Sequence, residues 1–155
     1  MAIPDFIVAL RKQIGTAPLW LSGVTAVVTR DEQILMVKRA DNGAWTPVTG
    51  IIDPGEEPGV AAAREVLEET TIVAVPEKLA WVHSLPMLTY PNGDQTEYLD
   101  LTFRMRYVSG EPYPADGENT EARWFPLDAM PELGDDFHAR IRYALDDTAA
   151  ARFES

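Results

Sequence analysis

Three glutamates, Glu65, Glu68 and Glu69, follow Arg64 in the run Arg64-Glu65-Val66-Leu67-Glu68-Glu69. In a helix over Pro58–Thr70, the i, i+3, i+4 spacing gathers them on one stripe and puts Ala62, Ala63, Val66, Leu67 and Thr70 on the opposite side. Like charges so placed repel by about 0.2–0.5 kcal/mol per pair. The arrangement makes sense where divalent cations sit among the carboxylates, and hard oxygen donors of this kind suit Mg²⁺ or Mn²⁺, not zinc. A glutamate-rich helix face is by itself usually solvated surface, so the surrounding residues decide.

Those surroundings form a long pattern. Gly50 is followed after five residues by Glu56, and after seven more by Arg64-Glu65-Val66-Leu67-Glu68-Glu69-Thr70-Thr71-Ile72. This resembles the signature box of the Nudix hydrolases, which cleave a diphosphate linked to another moiety. Two positions depart from it: Thr71 stands where the family usually has glycine, and Thr49 where many members have the first of two glycines. A β-branched residue avoids positive φ, so Thr71 implies a helix end unlike the family's left-handed one.

The resemblance implies an α/β fold, an α/β/α sandwich around a mixed β-sheet in which the box forms a loop–helix–loop. It implies a Mg²⁺-dependent enzyme, with Mn²⁺ as a substitute, in which Glu65, Glu68 and Glu69 are metal ligands and one of them serves as base. The Gly50 carbonyl becomes a further metal contact, and Glu56 sets the loop–helix geometry through Arg64. Some members supply another acid from a loop before a strand carrying tryptophan. Here residues 116–121 precede Arg123-Trp124-Phe125, which makes Glu118 the candidate base or extra ligand, ahead of Glu121 and Asp116. The substrate expected is a nucleoside diphosphate derivative, an ADP-ribose-type compound or a nucleoside triphosphate, cut to release a nucleoside monophosphate. The alternative is a nucleotide-sensing module that does not cut; degenerate acids would mark it, and these are intact.

The elements that must position these groups can be read in outline. Ile3, Ile7, Leu10 and Ile14 recur at helical spacing with Gly15 as a stop, which predicts a helical extension over residues 1–18 ahead of a hydrolase domain over 19–155. That helix would pack onto the domain or onto a partner subunit in a homodimer. Residues 23–29 and 34–39 read as a β-hairpin, 41–43 as a turn and 45–49 as a short strand. After the box, residues 72–75 and 79–83 read as strand segments interrupted by Pro76, and residues 97–108 as a long strand. A loop over 109–119, a short strand over 123–125 and a closing helix over 136–151, with Ile141, Leu145 and Thr148 inside, complete the chain.

Composition narrows the function classes. The 155 residues carry a net charge of −12, which argues against sequence-independent binding of nucleic acid, an mRNA-decapping role included, and against a polybasic membrane contact. Cations held by the carboxylates would reverse the local field for an anionic substrate. No cysteine is present, which excludes disulfides, a thiolate nucleophile and zinc–cysteine sites, and fits a reducing cytoplasm. Apolar residues precede Arg11 and Lys12, the reverse of a secretory signal, and no apolar run reaches membrane-spanning length. His83 and His138 lack metal-ligand spacing and read as structural or surface residues. Trp45, Trp81, Tyr90, Tyr98 and Trp124 are core candidates that could include a base-stacking platform, and Lys38 and Arg39 sit where a phosphate could meet a strand end.

Overall fold

The computed structural model describes residues 3–155. Helix α1 (Asp5–Ile14) leads into β1 (Leu19–Arg30) and β2 (Gln33–Arg39), joined by a tight turn in which Asp31 takes φ 52°. The short strands β3 (Trp45–Thr46) and β4 (Val48–Ile51) are separated by Pro47, which has no N–H to give to a ladder. Helix α2 (Pro58–Thr70) carries the glutamates. Then come β5 (Val73–Ser84), β6 (Leu88–Thr89), β7 (Gln95–Ser109), β8 (Asn119–Pro126), α3 (Asp135–Leu145) and β9 (Arg152–Phe153).

Among the described residues, nine strands form one sheet in which β3-β2-β1-β7-β5-β9 lie side by side, with β4 on β1, β8 on β2 and β6 on β7. The β1–β7 and β5–β9 pairs are parallel and the others antiparallel, so the sheet is mixed. Alternation along the strands sends side chains to two cores. Val24, Ala26 and Val28 of β1 and Leu35 and Val37 of β2 pack with Ala61, Ala62 and Val66 of α2. Val27, Ile34 and Met36 pack with Ile141 and Ala144 of α3 on the other face. The α/β/α sandwich follows, with α1 as an additional helix. Among the described residues no helix is long and apolar enough to cross a membrane.

Several expectations are corrected. Strand β5 runs through Pro76 without interruption; the ladder shifts register between Pro76 and Lys78, so a missing donor is absorbed as an irregularity. Strand β8 begins at Asn119, earlier than the short strand expected. Helix α3 ends at Leu145, six residues early, because Asp146 leaves the helical region and its carboxylate accepts from the Thr148 N–H at 2.8 Å. Thr148 is therefore exposed and not an inner-face residue. Of the apolar repeat on α1, Ile7 is buried while Ile3, Leu10 and Ile14 are exposed.

Thr71 is the sharpest correction. It does occupy the left-handed region, at φ 60° and ψ 6°, as the C-cap of α2. Its N–H donates to the Leu67 carbonyl at 3.0 Å and its hydroxyl to the Glu111 carbonyl at 2.7 Å, so a bond from forty residues away overrides the local preference. The neighbouring chain is tight: a Cβ on Gly110, itself at φ 102°, would lie 2.6 Å from the Thr71 carbonyl oxygen. Gly110→Ala combines that clash with a positive φ and is expected to destabilise the protein by about 2–3 kcal/mol, read from the midpoint of urea unfolding.

Candidate active site

The loop ahead of α2 is built by its sequence. The Glu56 N–H donates to the Asp53 carbonyl at 3.0 Å across Pro54 and Gly55, with Gly55 at φ 84°, the pattern of a type II turn with proline then glycine at its centre. Pro58 then opens the helix at a position where no N–H is needed. The Glu56 carboxylate accepts two bonds from Arg64, at 2.8 Å from Nε and 2.8 Å from Nη2, and one from the Asp53 N–H at 3.1 Å. Arg64 holds it well below the usual carboxylate range. The expected Glu56–Arg64 clamp is present, and Arg64 also donates to the Ile51 carbonyl at 3.1 Å, fastening helix to strand.

The glutamate stripe is arranged differently from the sequence expectation. Glu65 and Glu69 are 1% and 3% exposed, whereas Leu67, expected on the side opposite the carboxylates, is 50% exposed. Glu65 lies flat against Gly50, so close that a Cβ there would fall 2.1 Å from its Cδ. Its carboxylate accepts from Arg64 at 3.0 Å, and Glu68, half-exposed, accepts from the same guanidinium at 3.2 Å. Burial raises the Glu65 carboxyl against the lowering influence of Arg64.

Glu69 points elsewhere. Its carboxylate accepts from the Asn119 Nδ2 at 2.8 Å, and burial pushes its carboxyl up to about 8, reinforced by the charges of Glu65 and Asp116. The segment before β8 comes to it because the Tyr113 N–H donates to the Thr70 carbonyl at 3.0 Å and the Ala115 N–H to the Glu69 carbonyl at 3.1 Å. Carboxylate oxygens of Glu69, Asp116 and Glu118 then lie within 4.8 Å of one another. Sequence reasoning ranked Asp116 last and missed Asn119. The signal for both was available in Asp116-Gly117, a turn pair placed just before a strand.

Two cavities meet at Glu118. One, of about 340 Å³, is lined by Glu69, Glu118, Asn119, Thr49, Arg39 and Asp41. The other, of about 780 Å³, lies between α1 and the β6–β7 turn. A third, of about 650 Å³, opens over Glu65, Glu68, Arg64 and Asp116. Arg39 is engaged in a two-pronged pair with Asp41 at 2.9 and 2.7 Å, and Lys38 with Glu121 at 3.0 Å, which places Glu121 outside the acid cluster. His83 is buried on the far core, stacked on Trp81 with ring centroids 3.4 Å apart, and His138 is exposed; neither reaches the acids. Trp124 stacks edge-on against Tyr107 and Trp45 against Phe125, so both serve packing.

Residues 20–145 match the NUDIX domain. Over 109 residues the chain is 32% identical to the NAD-capped RNA hydrolase NudC of Pseudomonas aeruginosa, covering 69% of this chain and 36% of that protein's length. Over 137 residues it is 32% identical to a MutT-like protein of Streptomyces ambofaciens, covering 87% and 83% of the two. The MutT NUDIX hydrolase from Burkholderia pseudomallei superposes with a TM-score of 0.66 at 25% identity, over 81% of this chain and 98% of that one.

Proposed function

The chain belongs to the Nudix family, and from that premise we propose that it is a Mg²⁺-dependent hydrolase, with Mn²⁺ as a substitute, that cuts the diphosphate linkage of a nucleoside diphosphate derivative. The observation that carries this reading is the convergence of Glu69, Asp116 and Glu118 within 4.8 Å. The donors are all carboxylate oxygens, the set a hard divalent cation prefers. Burial of Glu69 raises its carboxyl to about 8, so the metal-free group is largely protonated near neutral pH, and a bound cation would favour its ionised form.

Glu69, Asp116 and Glu118 would hold the cation, with Glu65 and Glu68 of α2 and the Gly50 carbonyl of β4 as further ligands. Bound there, a divalent cation neutralises phosphoryl charge and makes water a better nucleophile. The chain's own residues do the rest. Arg64 fixes the loop through Glu56 and steadies Glu65, while Asn119 fixes the Glu69 carboxylate. Glu118, where two cavities meet, takes the proton of the attacking water. Water oxygen bonds to phosphorus and the bridging P–O bond breaks, giving a nucleoside monophosphate and a phosphorylated fragment, or pyrophosphate from a triphosphate.

The test is a product-release screen over nucleotide sugars, dinucleoside polyphosphates and nucleoside triphosphates. A chelator is expected to abolish turnover and added Mg²⁺ or Mn²⁺ to restore it. Ready cleavage of phosphate monoesters with every diphosphate left intact would overturn the proposal. Ligand-induced stabilisation without turnover would point to the sensing module.

The loop acids make a separate prediction. Asp116→Asn and Glu118→Gln are each expected to reduce turnover by about two orders of magnitude, the scale of losing a principal electrostatic group. Glu121→Gln should leave the rate near wild type, because that carboxylate is spent on Lys38. Steady-state rates at saturating Mg²⁺ decide it, and equal, wild-type rates in all three variants would return the base to the helix.

A further inference from the structure

Helix α1 precedes residues 20–145, the segment that matches the family, yet its first residues stand at the acid site. Pro4, Asp5 and Phe6 line the cavity of about 650 Å³ beside Glu65, Glu68 and Asp116. Pro4, Ile7 and Val8 line the cavity of about 780 Å³ that reaches Glu118. Pro4 and Ile51 border both, so the start of α1 partitions two spaces that each reach the acid cluster, one at Asp116 and the other at Glu118. Little apolar packing holds the helix there. Of its ten residues Ile7 alone is buried, and Val8, Leu10 and Ile14 are exposed. The exit from the helix is open as well: Gly15 ends it at φ 61°, and residues 15–18 are exposed. Arg11 supplies the attachment instead. Its side chain, 14% exposed, donates to the Gly15 and Ala17 carbonyls at 3.1 and 2.6 Å on its own side. On the other side it donates to the Gln95 carbonyl at 2.7 Å and the Thr96 hydroxyl at 3.3 Å, and pairs with Asp94 at 3.6 Å.

Resting on the hydrolase reading above, we infer that Arg11 is a positioning residue for the reaction: by tying α1 to the start of β7, it keeps in place the wall that confines a diphosphate over the acids. Glu69, Asp116 and Glu118 can hold a cation without α1, because all three come from other elements. The anion that follows the cation needs a bounded space, and α1 bounds it on the side where the family segment supplies nothing. A wall touched alike by substrate and transition state acts on binding, so its loss raises KM and spares kcat. The attachment also depends on the shape of the side chain. A planar guanidinium reaches both sides of the gap at once, whereas a lysine ammonium is a point charge that keeps only part of the set.

The test uses the full chain with Mg²⁺ and adenosine α,β-methylene diphosphate, in which carbon replaces the bridging oxygen. By linkage, a ligand that binds better with α1 in place must hold α1 in place. The analogue is therefore expected to slow trypsin cleavage after Lys12 in the wild-type protein about tenfold, since cleavage follows the population with α1 released. An Arg11 that only stabilised the fold would give no such protection. Arg11→Ala should bind the analogue about tenfold more weakly and raise KM about tenfold with kcat within about twofold, and Arg11→Lys should fall between. Mn²⁺ alone, followed by electron paramagnetic resonance, should bind the three proteins alike. Equal analogue affinity in wild type and Arg11→Ala, Mn²⁺ binding lost together with the analogue, or cleavage after Lys12 indifferent to the analogue would each overturn the inference. The protection measurement needs no variant, so it decides the matter even where Arg11→Ala fails to fold. It is also read without turnover: protection with no diphosphate cut would sink the hydrolase reading alone, and turnover with Lys12 unprotected would sink this inference alone.

Discussion

Replacing Glu69 by glutamine is expected to lower kcat by about two orders of magnitude or more while leaving the protein folded. The amide has nearly the shape of the carboxylate, and its oxygen can keep the 2.8 Å bond from Asn119, so what is removed is charge. Because burial has raised the carboxyl to about 8, the metal-free group is largely protonated near neutral pH, so a neutral amide in its place should not lower the Tm. The pH dependence has a definite sign. Folding raises the Glu69 pKa from 4.5 to about 8, so the folded state binds this proton more tightly. The contribution to stability is fully present below 4.5 and is lost as pH rises through about 8. The metal-free Tm should therefore decline from pH 6 to pH 9, and Glu69→Gln should remove that part of the slope. Mg²⁺ should oppose the decline by favouring the ionised carboxylate. Wild-type kcat together with an unchanged Tm–pH slope in Glu69→Gln would remove this residue from the site.

Gly50→Ala is expected to reduce kcat/KM by about a hundredfold, although it adds one methyl group in a strand and touches no ionised atom of its own. Gly50 is not at positive φ, so the residue type is a matter of space. The new Cβ would sit 2.1 Å from the Glu65 Cδ and 2.3 Å from its Cγ and Oε1. A flexible side chain can move, but this one is 1% exposed and tethered to Arg64 at 3.0 Å, so moving it displaces the carboxylate and strains the clamp to Glu56. Overpacking of this kind costs about 1–3 kcal/mol in stability as well. The diagnostic is a cycle with Glu65: if Gly50→Ala acts by shifting that carboxylate, adding Glu65→Gln should lower activity little further. Full additivity of the two losses would refute the mechanism.

What could be read in the sequence was what is local. The extent of α2 and the hairpin turn at Asp31 depend on residues close in the chain and could be read from spacing and turn residues, and the Glu56–Arg64 clamp, equally local, followed from the family resemblance of the box. The wet or dry character of the glutamate stripe was not local. Glu65 is buried by Gly50, across a strand, and Glu69 by a segment anchored to the Thr70 and Glu69 carbonyls from more than forty residues away. For the same reason helical periodicity grouped Leu67 with the residues opposite the carboxylates, whereas the buried face includes Glu65 and Glu69, which a pattern of apolar positions does not count. Asn119 escaped notice because an asparagine at a loop end looks like turn chemistry until its amide is seen to fix a buried carboxylate. Thr71 shows the converse, a correct local preference defeated by one distant carbonyl.

The parallel pairing of β1 with β7 joins partners 77 positions apart, from Leu19↔Thr96 to Thr29↔Arg106. Everything that builds the acid site except the segment before β8 and Asn119 at the start of that strand lies inside the chain closed by that pairing. On the ribosome β1 has no neighbour on that side until residues beyond 96 emerge, so a strand carrying Val24, Ala26, Val27 and Val28 waits with an open, apolar edge. Closing so long a stretch places this chain among slow folders dominated by distant contacts. Assembly of the acid cluster is then a late event: helix α2 can form early, with Arg64 beside Glu65 and Glu68, but Glu69 meets Asn119, Asp116 and Glu118 only after the centre of the sheet has zipped.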